Sequence, residues 1–226
     1  DPLEWNFALS LCDLDPELIK LANKECLLSS TYEPSSKTKM KLRAAPGAGT
    51  MYLQSECAEA LAELFAGAEE AGYKLYLKSA YRAYKTQKTM YNNRLERNNG
   101  KDDGWVSKPG ASDHQTGLGC DVVPGSWKDK SMNSNMASTP ECQWMAEHCY
   151  EYGFVIRYPE DKQDITEINY EPWHLRYVGK EVARYIWRNG LCLEEFHEQL
   201  QAAIDAYLAA GGDARRVEDL IQTSAE

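Results

Sequence analysis

Apolar positions change their spacing several times along the chain, and each change marks an element. From Tyr52 to Ala71, residues Ala58, Leu61, Ala62, Leu64, Phe65 and Ala68 recur near helical spacing, which predicts a helix ended by Gly72. Tyr73 to Ser79 then alternates Tyr73, Leu75 and Leu77 against Lys74, Tyr76 and Lys78, the pattern of a half-buried strand. A helix follows over Thr86 to Asn98, stopped by Asn99-Gly100. Lys101 to Ala111 is a loop, and a strand runs from Leu118 to Val123. Pro124 to Ser138 is polar and loop-like. Thr139-Pro140-Glu141 opens a helix, with Thr as N-cap and Pro at the first position. Trp144, Met145, Cys149 and Tyr152 supply its face, and Gly153 ends it. Strands are predicted over Phe154 to Tyr158 and Trp173 to Val178, with a charged connection from Glu160 to Asn169 between them. Gly179 to Asn189 and Leu193 to Ala210 read as helices, and Asp213 to Ala225 as a last short one. Upstream, Asp15-Pro16-Glu17 caps a short helix with Leu18, Ile19, Leu21 and Ala22 on its apolar face. Residues 29–50, with Pro34, Pro46, Gly47 and Gly49, read as a long loop or irregular arm.

Two stretches carry candidate chemistry. Ser112-Asp113-His114-Gln115-Thr116-Gly117-Leu118-Gly119-Cys120-Asp121 holds an imidazole and a carboxylate seven residues apart. A loop His and a strand Asp can converge on one point. On this stretch alone a surface His114 and a lysine-paired Asp121 are the competing readings. Tyr170-Glu171-Pro172-Trp173-His174-Leu175-Arg176-Tyr177-Val178-Gly179 adds a second His with a Glu three residues before it. His114, Asp121 and His174 would make three protein ligands with the fourth tetrahedral position open, the composition of a catalytic zinc site. Glu171 would then be a carboxylate free to act as general base on a zinc-activated water. Cys120 should point away from such a site by strand alternation.

At these residues the sequence resembles the VanY-type D-alanyl-D-alanine carboxypeptidases, zinc metallopeptidases whose fold is shared with hedgehog domains. The likeness rests on S-x-H-x(6)-D followed by E-P-W-H. It extends to Ser79-Ala80-Tyr81-Arg82-Ala83-Tyr84-Lys85-Thr86-Gln87, to Gly153-Phe154-Val155-Ile156-Arg157-Tyr158-Pro159 and to the opening Asp1-Pro2-Leu3-Glu4-Trp5-Asn6. It implies an α+β single domain with a central antiparallel sheet flanked by helices. Residues 1–50 would form a leader helix and irregular arm, 51–190 the zinc peptidase core and 191–226 a helical C-terminal extension. It also implies Zn2+ on His114, Asp121 and His174, with Glu171 and Arg82 catalytic. Arg82, Gln87, Ser112 and Trp173 would contact substrate; Ser112 could equally cap its turn, and Arg82 could face either a carboxylate or a developing oxyanion. The family motif usually has Ala where this chain has Gly119, so the strand should be looser there with the ligand geometry kept.

Composition narrows the partners. Lys and Arg total 25 against 35 Asp and Glu, a net charge of −10, which argues against a nucleic-acid partner. No apolar run approaches the roughly 20 residues of a spanning helix. No leader is legible, and Asp1-Pro2 reads as a processed or engineered start, so the expected home is extracellular or the cell envelope on the strength of the resemblance. Seven cysteines include no C-x-x-C pair; Cys142 and Cys149 lie too far apart to bridge each other, other pairings stay open, and the count favours an oxidising compartment. His148 reads as structural and His197 as a surface residue. Oligomeric state is left open.

The reading that emerges is a zinc-dependent carboxypeptidase removing the C-terminal D-Ala of peptidoglycan stem peptides. Its alternatives are an L,D-carboxypeptidase on tetrapeptide stems and a zinc-stabilised wall-peptide-binding module or hedgehog-like ligand that does not cut. A mononuclear iron oxygenase is a further alternative, since two His and one carboxylate also make that triad. Retention of Glu171 argues against a purely structural site.

Overall fold

The computed structural model describes residues 11–221, so the Asp1 to Asn6 stretch lies outside the described residues. The predicted strands pair into a four-stranded antiparallel sheet: β3 (Leu75–Ser79), β4 (Gly119–Pro124), β5 (Phe154–Ile156) and β6 (His174–Tyr177), in the order β3-β4-β6-β5. A small pair, β1 (Thr38–Lys39) and β2 (Tyr52–Leu53), belongs to the arm, which is otherwise irregular as expected. Among the described residues the α-helices are α1 (Ser55–Glu70), α2 (Tyr84–Arg97), α3 (Pro140–His148), the single turn α4 (Gln163–Thr166), α5 (Lys180–Asn189) and α6 (Leu193–Ala209). Predicted strand and helix positions agree to within a few residues. Thr139 caps α3 by accepting from Cys142 N, as its sequence indicated.

The sheet has two different faces. Cys120, Val122, Leu175 and Tyr177 join Leu75 and Leu77 in one apolar cluster with Leu61, Leu64 and Phe65 of α1. Leu61 and Leu64 are fully buried, each contributing about 1.5–3 kcal/mol. Asp121 on β4 and His174 and Arg176 on β6 alternate with these apolar residues, so strand alternation sends the polar groups to the opposite face. A second cluster packs α5 and α6 against the N-terminal segment, joining Val182, Ile186, Phe196, Leu200 and Ile204 to Ile19 and Leu21. The C-terminal extension is thus bound to the N-terminal segment.

Three expectations about segments and burial change. The leader segment turns at residues 16–19 without forming a helix. The carbonyls of Leu18, Lys20 and Ala22 serve instead as acceptors for buried arginines. His197 is buried, not surface, because it lies on the core face of α6 and its Nε2 bonds Ile19 O. The last short helix is replaced by two 3-10 turns, Ala214–Arg216 and Glu218–Leu220, with Val217 and Leu220 buried; residues 222–226 lie outside the described part. All seven cysteines are free thiols.

Gly119 is tightly packed where looseness was expected. A Cβ there would sit 2.7 Å from Asp113 Cβ and 3.1 Å from its carbonyl carbon. The loop holding Asp113 must therefore crowd a strand without a side chain. Gly119→Ala is expected to lower stability by about 1–3 kcal/mol, the usual cost of overpacking. Thermal denaturation of the variant measures this, and an unchanged or raised midpoint would overturn it.

Candidate metal centre

His114 is set by a short turn. Ser112 Oγ accepts from His114 N at 3.2 Å, Thr116 Oγ1 donates to Asp113 O at 2.6 Å, and Gly117 closes the turn at φ 70°. The His114 Nδ1–H donates to Ala80 O at 2.7 Å, which leaves the Nε2 lone pair free. Asp121 and His174 come from neighbouring strands, where they are direct cross-strand partners. Asp121 Oδ1 lies 3.4 Å from His114 Nε2 and 2.9 Å from His174 Nδ1. The three ligand atoms fall within 4.8 Å of one another, and all three residues are buried. Four ligands at zinc–nitrogen and zinc–oxygen bond lengths stand about 3.3 Å apart in a tetrahedron. These residues therefore fit zinc, with one position left for another ligand. Cys120 lies on the apolar face, as alternation required.

The ligands open onto a cavity of about 400 Å³ that also admits Glu171, Arg82, Gln87, Ser112 and Trp173. Glu171 is 9 % exposed, and its amide donates to Tyr158 O at 3.0 Å. Arg82 N donates to His114 O at 3.0 Å, tying the arginine to the ligand turn. Its Nη1 donates to Gln87 Oε1 at 2.7 Å and its Nη2 to Ser79 Oγ at 3.1 Å. A guanidinium has five N–H donors, so others stay free for an anion. Gln87 is engaged at both ends of its amide, since Nε2 donates to Ser107 O at 2.6 Å. In the structure it orients Arg82 from the cavity wall. Ser112 acts as the cap of its turn while lining the same cavity. Trp173 stacks on Trp105, with centroids 6.5 Å apart, and the two indoles form one apolar wall.

The electrostatics divide the carboxylates by role. Burial would raise Asp121, but His114 and His174 outweigh it and hold the group well below the usual carboxylate range. Burial pushes Glu171 up, to about 8; His174 opposes the shift and Asp121 adds to it. Burial would lower His174, yet hydrogen bonds to Asp113 and Asp121 raise it to about 9. His114 is lowered by burial and by Arg82. An ionised ligand and a carboxyl that can take or hold a proton thus share one cavity.

Sequence reasoning missed Asp113, Arg157, Arg176 and Trp105. Asp113 is fully buried and contacts His174 Nε2 through Oδ2 at 3.4 Å. The available signal was an arginine inside each of two otherwise apolar strand motifs, at Arg157 and Arg176, which demands a buried counter-charge.

Comparison with known proteins follows the same outline. A family model described as "VanY: D-alanyl-D-alanine carboxypeptidase" matches residues 50–180. The putative carboxypeptidase YodJ of Bacillus subtilis (strain 168) is 39% identical over 191 residues, covering 83% of this chain and 70% of that protein. The solved structure of the LdcB LD-carboxypeptidase superposes with a TM-score of 0.76 at 37% identity, covering 84% of this chain and 96% of that one. A mutant of the vancomycin resistance D,D-pentapeptidase VanY, solved in complex with Zn(II), gives a TM-score of 0.66 at 28% identity, covering 80% and 98%.

The site's protons predict a pH response. The raised His174 stabilises the fold fully below its ordinary 6.5, and that stabilisation is lost as pH rises through about 9. Glu171 acts in the same direction: between its ordinary 4.5 and about 8 the fold holds a proton that the unfolded chain has released, so stability falls with pH across that window and levels off above it. His114, held low, is neutral in folded and unfolded chains above pH 7. Chelated protein is therefore expected to melt at lower temperature as pH goes from about 7 to about 9, while the increment from added zinc grows. Paired melts with chelator and with zinc check this; a chelated midpoint that stays flat or rises would contradict it.

Proposed function

The chain belongs to the VanY D-alanyl-D-alanine carboxypeptidase family, and on that premise we propose that it removes a terminal D-Ala from D-Ala-D-Ala-ending peptidoglycan stem peptides by zinc-dependent hydrolysis. The observation that carries the reading is the convergence of His114, Asp121 and His174 beside a buried Glu171 and an arginine with free donors. The substrate would place its work at the cell envelope.

Zinc, when bound, supplies a Lewis acid for the scissile carbonyl and acidifies water at its open position. Glu171, which lines the cavity beside the three ligands, takes the proton of the attacking water and returns it to the leaving amine. Arg82, held by Gln87 and Ser79, directs its remaining donors at the peptide's carboxylate or the developing oxyanion. Trp173 and Trp105 shield one side of the cavity from water. Ser112 keeps the His114 turn closed.

A second reading is an L,D-carboxypeptidase acting on tetrapeptide stems. It is supported by the likeness to the LdcB LD-carboxypeptidase, which superposes with the higher TM-score, 0.76 against 0.66 for the VanY D,D-pentapeptidase. Both readings use the same metal chemistry and differ in the residue before the scissile bond.

Two measurements test these assignments. Muropeptides ending in D-Ala-D-Ala, or in a single D-Ala, are incubated with zinc or chelator and followed by mass spectrometry. Loss of one D-Ala from the pentapeptide, blocked by chelator, is expected; loss from the tetrapeptide alone moves the activity to the second reading. Glu171→Ala is expected to keep its zinc and lose about 10²–10⁴-fold in turnover, whereas His174→Ala loses both. Near-normal turnover in zinc-loaded Glu171→Ala would sink the assignment of the base.

A further inference from the structure

Behind the metal ligands lies a second set of charges. Asp113 Oδ1 accepts from Arg176 Nη1 at 2.8 Å. Asp113 Oδ2 lies 3.4 Å from His174 Nε2 and 3.1 Å from Arg157 Nε, the latter an ion-pair contact outside hydrogen-bond angles. Arg157 turns its outer nitrogens to Glu194, with Nη1 donating to Oε1 at 2.6 Å and Nη2 to Oε2 at 2.8 Å. Asn23 Nδ2 adds a bond to Glu194 Oε2 at 3.2 Å. Asp113, Arg157 and Arg176 are all fully buried. Glu194 stands in the first turn of α6, past residue 180 where the family match ends.

We propose that Asp113 is a positioning residue for His174, and that Glu194, from the helix beyond the matched domain, keeps it in place through Arg157. Ligation through His174 Nδ1 requires the proton on Nε2, and an acceptor facing Nε2 selects that tautomer and fixes the ring. Asp113 Oδ2 is that acceptor, but Arg157 reaches for the same oxygen. Glu194 occupies both outer nitrogens of Arg157 and shares its charge. Without Glu194 the buried guanidinium would rest on Asp113 alone and draw Oδ2 away from the imidazole. The two arginines and two carboxylates balance in charge, so removal of one is felt by the others. The inference rests on the zinc reading of His114, Asp121 and His174.

Zinc affinity, read by competition with a chelating dye, tests it. Wild-type protein that binds no zinc would refute the metal reading itself. Given wild-type binding, Glu194→Gln is expected to weaken zinc about tenfold or more, the usual effect of removing an outer partner of a ligand. Glu195→Ala is the control: it breaks the bond from Cys192 N that caps the same helix, and does not touch Arg157. Its zinc affinity should stay within about twofold of wild type. A folded Glu194→Gln with wild-type zinc affinity, or a Glu195→Ala weakened as much, would overturn the proposal and leave the network a clamp on the fold. Should Glu194→Gln not fold, Glu194→Asp, which keeps the charge but shortens its reach, is measured with an expected loss of at least threefold and the same criterion. Nitrogen NMR of zinc-loaded wild type is independent of any variant. It should show His174 protonated on Nε2, and a proton on Nδ1 would overturn the role given to Asp113.

Discussion

The pairing of Asp121 with His174 across β4 and β6 is the constraint on which the site depends. A one-residue slip of either strand would send its ligand to the opposite face, among Leu61 and Leu64. Register is held from the apolar side, where Cys120, Val122, Leu175 and Tyr177 must all meet α1. The core therefore acts on the chemistry directly: the contacts that bury hydrocarbon also bring two ligand atoms to 2.9 Å. His114 needs a different device, because it arrives from a loop. Ser112, Thr116 and Gly117 fix that loop by local bonds, and Ala80 O selects the nitrogen it presents.

Placing so many ionised groups away from water is costly unless each has a partner. The sheet's polar face meets this by interleaving signs. His174 stands between Asp121 and Asp113, and Asp113 between His174 and two arginines. The carbonyls of Leu18, Lys20 and Ala22 complete the arginines' bonding, which is why the N-terminal segment forgoes helical structure. Glu171, buried just before β6, makes no close ion pair among the described residues; the charges of His174 and Arg82 only partly offset its burial, and its pKa is lifted, to about 8.

Much of this was legible in the residues. Apolar spacing together with cap and stop signals located the four strands of the main sheet and five of the six described α-helices to within a few residues. The meeting of His114, Asp121 and His174 was legible because all three sit in compact ordered motifs. What was not legible depended on contacts between distant segments. His197 looks like a polar residue on a helix until Ile19 O is brought beside it. Asp113 looks like a turn residue until Arg176 of β6 and Arg157, just past β5, converge on it. Residues 16–19 carry a good cap and apolar spacing, and tertiary acceptor duty overrides both. Gly119 reads as a lost methyl, and only the approach of Asp113 shows that there is no room for one.

The arm offers a different kind of consequence. Arg43 to Ala45 runs beside β3, with Leu77 N donating to Arg43 O and Ala45 N donating to Leu77 O, both at 2.8 Å. Ala44 bridges Leu77 in parallel, so the arm occupies backbone groups that β3 would otherwise offer to solvent. At the sheet's other border, β5 spans only three residues. An uncovered border strand is a template on which a second chain can add its own strand. By laying one stretch of its own irregular chain along that border, the protein denies neighbouring molecules a place to begin stacking, a safeguard against aggregation that owes nothing to the chemistry at the centre of the sheet.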